Sequence, residues 1–313
     1  MIWLFDAAYL PWVSALFGLF VGSFLCVVIH RYPIPGQTPT HPKRSSCPEC
    51  GHLLSWWENI PVLSWVALGR RCRACRVLIP ARYPLVELMT AFVWWMAVRA
   101  WSATPEGDLL LLGIYLLVLS ALLTASFVDL DCYEIPDSVS IGGMLLAPLA
   151  ACAVPALHQH TWIAQWLSGG VEITRGASVA ASLVGMAAGG GVLLAVSRLG
   201  SRAFGQDAMG FGDVKLLAAG GGFIGPGGVL VALLLGSVTA SAVGVANLLR
   251  FFCLVRRRDR SRGRKRGPGR AWRTARVAGQ YLPFGPHLAL GVALVLLYWE
   301  PYLVDWFVGL DRR

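Results

Sequence analysis

The stretch AMGFGDVKLL, residues 208–217, sets Asp213 beside two glycines at the head of an apolar run that continues, interrupted only by Lys215, to Phe223 and Ile224. A charge there costs free energy, so it needs a use or a partner. The rest of the chain says what the run is. Of 313 residues, 56% are hydrophobic and 14% charged, with a mean hydropathy of +0.60, whereas soluble domains are roughly a quarter charged. This composition predicts an all-α polytopic membrane protein. Spans of roughly 20 residues are expected near 8–29, 83–103, 109–128, 138–156, 177–198, 214–225, 227–250 and 287–305, which makes eight, one of them short. The first has no Lys or Arg before it, and its exit at Ile29-His30-Arg31 offers no small-residue cleavage site, so it reads as a retained helix and not a signal peptide.

Lys and Arg set the expected orientation. Residues 31–82 carry Arg31, Lys43, Arg44, Arg70, Arg71, Arg73, Arg76 and Arg82, and 251–286 is denser still, in RRRDRSRGRKRGPGR. Both segments should be cytoplasmic. The connection at 104–108 has Glu106 and Asp108 without a cation, and the one at 157–176 has only Arg175, so both should be external. Eight spans with both termini outside satisfy every loop. The net charge of +10 then lies mostly in two loops facing an anionic bilayer surface. It does not describe a nucleic-acid groove, since Trp272 is the only aromatic residue in the 256–276 run.

Between the first two spans, CPEC (Cys47, Cys50) and CRAC (Cys72, Cys75) form two C-x-x-C pairs separated by 21 residues, slightly beyond the usual zinc spacer of about 15 to 20. Each pair offers two thiolates to one tetrahedral ion, and joining them closes a small domain with little core of its own. The neighbouring arginines would offset the charge of four thiolates and favour deprotonation. Disulfides are disfavoured in a reducing cytoplasm, and a redox site would need only one pair. A structural metal, zinc, is expected at Cys47, Cys50, Cys72 and Cys75.

Asp213 has a candidate partner. The third span ends in SFVDLDCYEIPD, which places Asp129, Asp131, Glu134 and Asp137 where that helix leaves the membrane, on the side where Asp213 begins the sixth span. Carboxylates at such a depth are functional candidates. Two that share a proton cannot readily both ionise, so one remains an acid while the other acts as a base towards water. That is the requirement for hydrolysing a peptide bond without a covalent intermediate. Gly210 and Gly212 would leave room for a substrate backbone. The plainer reading makes Asp213 a helix N-cap and Phe211 a packing residue.

Taken in order, GLFVGSFLCVVIHR, WWENIPVLSW, RYPLVEL, VDLDCYEIPD, MGFGDVKLLAAGG and PFGPHLALG, with the four cysteines, resemble the blocks of the bacterial type IV prepilin peptidases. These are G-x-G-D intramembrane aspartyl proteases that also act as N-methyltransferases. The resemblance covers nearly the whole chain and implies Asp129 and Asp213 as the catalytic dyad. It also implies type IV prepilins or type II secretion pseudopilins as substrates, cut after a Gly that ends a short basic leader, at the cytoplasmic face of the inner membrane. S-adenosylmethionine is then the implied donor for methylating the new N-terminus. The basic leader is expected to meet acids, with Glu49, Glu58, Glu87, Glu134 and Asp137 as candidates, because the arginine-rich loop would repel it. The implied domains are a first helix at 1–30, a cytoplasmic four-cysteine domain at 31–82 tied to methyl transfer, and a peptidase domain at 83–313.

Three positions depart from the family pattern. Cys26 stands where Asn is common, Arg70 stands where Gly is frequent two residues before the third cysteine, and the basic run at 256–276 is an unusual insertion. Two competing readings use the same residues. A transporter could relay protons through the paired carboxylates, although no inverted repeat is visible. A zinc-stabilised membrane anchor would need no chemistry, and loss of the aspartates would then be silent.

Overall fold

The computed structural model describes residues 9–102, 108–170, 172–205, 209–261, 269, 272–274 and 282–298. The acidic connection at 104–107, the middle of the basic run (262–268) and the part of the last expected span beyond 298 lie outside them. The helices run α1 Leu10–Arg31, α2 Leu63–Ala67, α3 Arg82–Trp101, α4 Leu109–Cys132, α5 Asp137–Ala153, α6 Trp162–Leu167, α7 Arg175–Phe204, α8 Phe211–Ser261 and α9 Gly285–Tyr298. Short 3-10 turns lie at Trp56–Asn59 and Pro155–His158. Among the described residues there is no β-strand, only isolated bridges.

Four helices, α1, α4, α7 and α8, are long and apolar enough to cross a bilayer, and α5 and α9 are shorter apolar helices. The chain is a multi-pass membrane protein. The eight expected spans fall on α1, α3, α4, α5, α7, the two halves of α8, and α9. The halves of α8 meet at Gly225, whose φ of 68° and ψ of 173° leave the helix, and Pro226 follows. Proline has no N–H to give the carbonyl four residues back, so the ladder opens there.

The main core gathers α4, α5, α7, α8 and α9 around Leu119, Leu193, Leu217, Leu288 and Val292, all fully buried. A second cluster, Leu25, Ile29, Val86 and Val128, seats α1 and α3 against the end of α4. Lipid supplies no hydrophobic drive between helices, so close backbone approach through small residues has to supply packing. Two crossings depend on it. A Cβ at Gly18 or Gly22 of α1 would lie 2.8 Å from the Ala91 Cα or 2.7 Å from the Glu87 Cα on α3. At Gly185 or Gly189 of α7 it would meet the Gly221 or Leu217 carbonyl oxygen of α8 at 2.1 and 2.3 Å. The second crossing fixes the first half of α8, and with it Asp213.

Candidate active site

The corner between α4 and α5 builds half of the site. Helix α4 ends at Cys132 because Tyr133 turns left-handed (φ 55°) and returns its N–H to the Asp129 carbonyl at 2.9 Å. Three residues later Pro136 fixes the start of α5. The turn buries Ile135 and leaves Glu134 exposed. Asp129 sits in the last turn of α4, only 6% exposed. Its Oδ2 accepts a hydrogen bond from the Gly285 N–H, the first residue of α9, at 3.1 Å.

The first turn of α8 supplies the other half. Asp213 is its acidic residue, half-buried, with its N–H donating to the Gly210 carbonyl at 3.2 Å. It is therefore inside the helix, and its side chain is not spent on capping. Asp129 and Asp213 line one cavity of about 350 Å³ and lie within reach of each other's charge. Gly210, Gly212, Glu134 and Asp137 line the same cavity. Ile135 packs towards both flanks, since a Cβ at Gly212 or Gly285 would meet its side chain at 3.3 and 3.1 Å respectively.

The neighbouring acids have partners. Asp131 pairs with Arg82 of α3, whose guanidinium also donates to the Phe127 carbonyl, and Asp137 pairs with Lys215 of α8. Exposed pairs of this kind contribute only about 0 to 1 kcal/mol. Their larger effect is local, because they cancel charge beside the two aspartates and tie the corner to α3 and α8. Tyr32, just past α1, shares the cavity wall, and its hydroxyl is held above its ordinary value by burial and then by Glu134 and Asp137.

Other expected leader contacts lie elsewhere. Glu58 is buried within the four-cysteine segment, accepting from the Ser55 N–H at 2.8 Å and facing His52 at 3.3 Å. The Ser55 N–H bond holds its carboxyl below the usual range. Glu87 is buried on α3 and accepts from the Val62 N–H at 2.7 Å, at a residue whose φ of 60° is unusual for a branched side chain. Glu49 is exposed beside Cys50.

The four cysteines converge. All their sulfurs lie within 4.8 Å of one another, with Cys47 to Cys75 at 3.9 Å and Cys50 to Cys72 at 4.0 Å. Disulfide sulfurs would be about 2.05 Å apart, whereas a tetrahedral ion with Zn–S bonds of about 2.3 Å separates its ligands by about 3.8 Å. The donor set and spacing therefore fit a tetrahedral metal ion. Two matching knuckles produce them. Cys47 N–H bonds to the His52 carbonyl and Gly51 N–H to the Cys47 carbonyl, both at 2.9 Å. In the second, Cys72 N–H bonds to the Val77 carbonyl at 2.9 Å and Arg76 N–H to the Cys72 carbonyl at 3.0 Å. Backbone N–H groups of Cys75 and then Ala74 pull the Cys72 thiol down, while at Cys75 the Val77 N–H is outweighed by burial and the neighbouring thiols, which push its thiol up, so the four sulfurs share charge as one group. Gly51 is left-handed (φ 71°), and Arg76 takes the same role at φ 61°. Arg70 is also left-handed at φ 61°, next to Gly69, so the position where glycine was expected does require glycine-like backbone. Its guanidinium lies over Trp65, and that of Arg73 over Trp57.

Sequence reasoning passed over Gly285. In the block PFGPHLALG a glycine before a proline at a helix start reads as a turn, and nothing local says that its N–H will face Asp129.

Residues 16–101 match the Bacterial Peptidase A24 N-terminal domain, and residues 116–245 match the Type IV leader peptidase family. A Myxococcus xanthus protein named prepilin leader peptidase/N-methyltransferase is 39% identical over 74% of this chain and 61% of its own length. Proteins of the same name from Aeromonas salmonicida and Pseudomonas aeruginosa are each 32% identical, over 96% of both chains for the first, and over 91% of this chain and 89% of its own for the second. No solved structure matches the chain.

Proposed function

The chain belongs to the type IV leader peptidase family, and on that footing we propose that it removes the leader from type IV prepilins or type II secretion pseudopilins and then N-methylates the new N-terminus. The single observation that carries the peptidase reading is the meeting of Asp129 and Asp213, from different helices, in one cavity at one end of the bundle. One carboxylate takes a proton from water as its oxygen attacks the scissile carbonyl. The other, protonated, gives its proton to the leaving nitrogen as the C–N bond breaks, and the two exchange roles over the cycle. Gly285 holds one oxygen of Asp129, leaving the other for water. Gly210 and Gly212 keep side chains off the approach of the substrate backbone. Glu134, exposed at the rim and without the bonds that occupy Glu58 and Glu87, is the acid best placed for a basic leader.

The enzyme is a multi-pass protein of the bacterial inner membrane with eight spans. The site and the segments 31–82 and 251–286 face the cytoplasm, where leaders emerge. Zinc is the ion at Cys47, Cys50, Cys72 and Cys75, and it holds together a domain otherwise built from turns. S-adenosylmethionine would supply an electrophilic methyl group to the new amine. With no strand among the described residues, a strand-turn-helix cradle for such a donor does not fit, and no residue is assigned to it.

The test is cleavage of a purified prepilin in detergent by the natural enzyme, Asp129→Asn and Asp213→Asn, with mass spectrometry of the mature N-terminus in the presence of S-adenosylmethionine. Both variants should be inactive and the natural product one methyl group heavier. Cleavage by either variant refutes the dyad, and an unmethylated product refutes the second activity. A proton-relay transporter or an inert anchor would cleave the prepilin in none of the three forms, the natural one included.

A further inference from the structure

Between the two cysteine pairs the chain turns apolar. The eleven residues from Asn59 to Gly69 carry no charge, in a segment otherwise crowded with arginine. Helix α2 lies within them and exposes Leu63 (67%) and Val66 (63%), three residues apart and so on one face. Trp56, in the turn just before, is 79% exposed. An apolar face of this kind needs a cover, and among the described residues no buried hydrophobic cluster takes in any residue from 33 to 81.

The depth of α2 follows from α1 and α3, which run antiparallel. A Cβ at Gly18 or Gly22 would meet the Cα of Ala91 or Glu87, and the Cys26 thiol donates to the Tyr83 carbonyl at 3.5 Å, so the members of each pair share a level. The apolar run of α1 ends at Ile29, before His30 and Arg31. At about 1.5 Å per residue, Gly22 and Glu87 therefore lie about 10 Å inside the apolar layer. The Val62 N–H reaches the Glu87 carboxylate at 2.7 Å. Helix α2 thus starts within one glutamate side chain of that level, in the zone about 5–10 Å deep where interfacial segments rest. Val86, next to Glu87, shares a buried cluster with Val128, next to Asp129, so α2 and Asp129 stand at nearly the same depth.

Backbone at that depth must satisfy its amides within the protein, and this turn does so. Pro61 has no N–H, and those of Ser64, Val66 and Leu68 reach the carbonyls of Ile60, Val62 and Ser64 at 3.1, 3.1 and 2.9 Å. Val62, ahead of the helix at φ 60°, gives its N–H to the buried Glu87 instead. Arg70 closes the stretch with its guanidinium over the Trp65 ring at 5.7 Å, an aromatic body under a cation, as membrane interfaces favour. The lipid-facing surface of α3 near this level includes Leu85 and Leu88, both half exposed. What protein leaves uncovered at such a depth, lipid covers. We propose that the turn from Ile60 to Ala67 anchors the four-cysteine domain in the membrane. Leu63 and Val66 rest among lipid acyl chains in the leaflet that holds Asp129, Glu87 holds the leading amide of the anchor, and the cysteine knuckles stay in water.

The experiment places photoreactive benzoylphenylalanine at Leu63 or Val66 of the full chain in lipid nanodiscs and reads the covalent products by mass spectrometry. Leu88 on α3 is the lipid-facing reference, and Glu49, exposed in the first knuckle, is the water-facing one. Lipid attachment at 63 and 66 should approach that at 88 and exceed that at 49 by at least about tenfold. Attachment no greater than at 49 overturns the proposal, and so does a crosslink to a second copy of the chain, which would make this face a subunit contact. Glu87→Leu should cut lipid attachment at 63 by at least about fivefold, whereas Glu87→Gln keeps an acceptor oxygen and should leave it intact. Equal attachment in the two variants overturns the part given to Glu87. A second measurement needs no substitution: in nanodiscs containing a phosphatidylcholine with a diazirine on its acyl chain, the natural protein should be labelled within residues 59–69 and not within 43–51. Label absent from 59–69 overturns the anchor whatever the variants do. Neither readout depends on peptidase activity, so the anchor and the peptidase reading stand or fall separately.

Discussion

Replacing Gly285 with alanine should produce a stable protein that barely cuts. The Gly285 N–H donates to Asp129 Oδ2 at 3.1 Å, and a Cβ at 285 would lie 2.5 Å from that same oxygen and 3.1 Å from the carboxyl carbon. Ordinary contact begins near 3.4 Å, so the oxygen must retreat by the difference, about 0.9 Å. Ile135 stands 3.1 Å away on the other side of the new methyl, so the methyl cannot easily step aside. A displacement of about 1 Å at reacting groups can cost about 100-fold in rate, equivalent to about 2.7 kcal/mol of transition-state stabilisation. The backbone bears no matching penalty: Gly285 is not left-handed, it opens a helix, and alanine in a helix is favoured over glycine by roughly 0.5 to 1 kcal/mol. The assay is kcat and KM for prepilin cleavage alongside thermal unfolding in detergent. Gly113→Ala on α4, where a Cβ meets nothing within 4 Å, serves as control. The expected result is kcat down about 100-fold, with Tm unchanged or higher. Activity within threefold of the natural enzyme would refute the reasoning, because the position of the Asp129 carboxyl would then not limit the reaction.

Two further outcomes follow from groups away from the aspartates. Purified protein should carry about one zinc per chain by elemental analysis, and a Cys47→Ser, Cys72→Ser variant should carry none; active enzyme that is free of metal as isolated would dispose of the zinc assignment. His158 gives a pH signature. It is fully buried, its Nδ1 is 3.0 Å from the Ser178 hydroxyl, and its Nε2 lies beside the Gly222 carbonyl without the alignment of a full hydrogen bond. Gly222 is the carbonyl that Pro226 cannot serve. Burial pulls His158 from 6.5 down to about 4, so between those values only the unfolded chain takes up the proton. Its contribution is whole above pH 6.5 and is lost as pH falls towards 4, on the order of 3 kcal/mol in all. Thermal unfolding of the natural protein should weaken across that window, and His158→Gln should be less stable at pH 7.5 but flatter in pH. Parallel profiles would refute this role.

How legible each feature was depends on whether its residue works by what it carries or by what it lacks. Asp129 and Asp213 stood out because a carboxylate in an apolar chain is costly, and the span pattern alone brought both to one end of the bundle. The cysteines stood out because thiolate pairs at fixed spacing have few other uses, and the two knuckles repeat the same backbone bonds. Glu58 and Glu87 were equally visible as charges yet misleading as surface acids. Their partners are backbone N–H groups of Ser55 and Val62, and a backbone donor leaves no trace in residue type. Glycine is harder still. Gly185 and Gly189 matter because the α8 carbonyls at Gly221 and Leu217 occupy the space a side chain would need, and Gly285 because the Asp129 carboxyl does. The reason for each lies on a different helix, so no window along the chain contains both halves of the contact. The kink shows the intermediate case. Gly225-Pro226 signals a break in any sequence, and the backbone leaves the helix at Gly225. That the freed Gly222 carbonyl would sit beside a buried histidine from the turn after α5 depends on how α5, α7 and α8 pack. Chemistry carried by a side chain was readable along this chain, whereas the placement that lets it act rests on absences that only the assembled helices reveal.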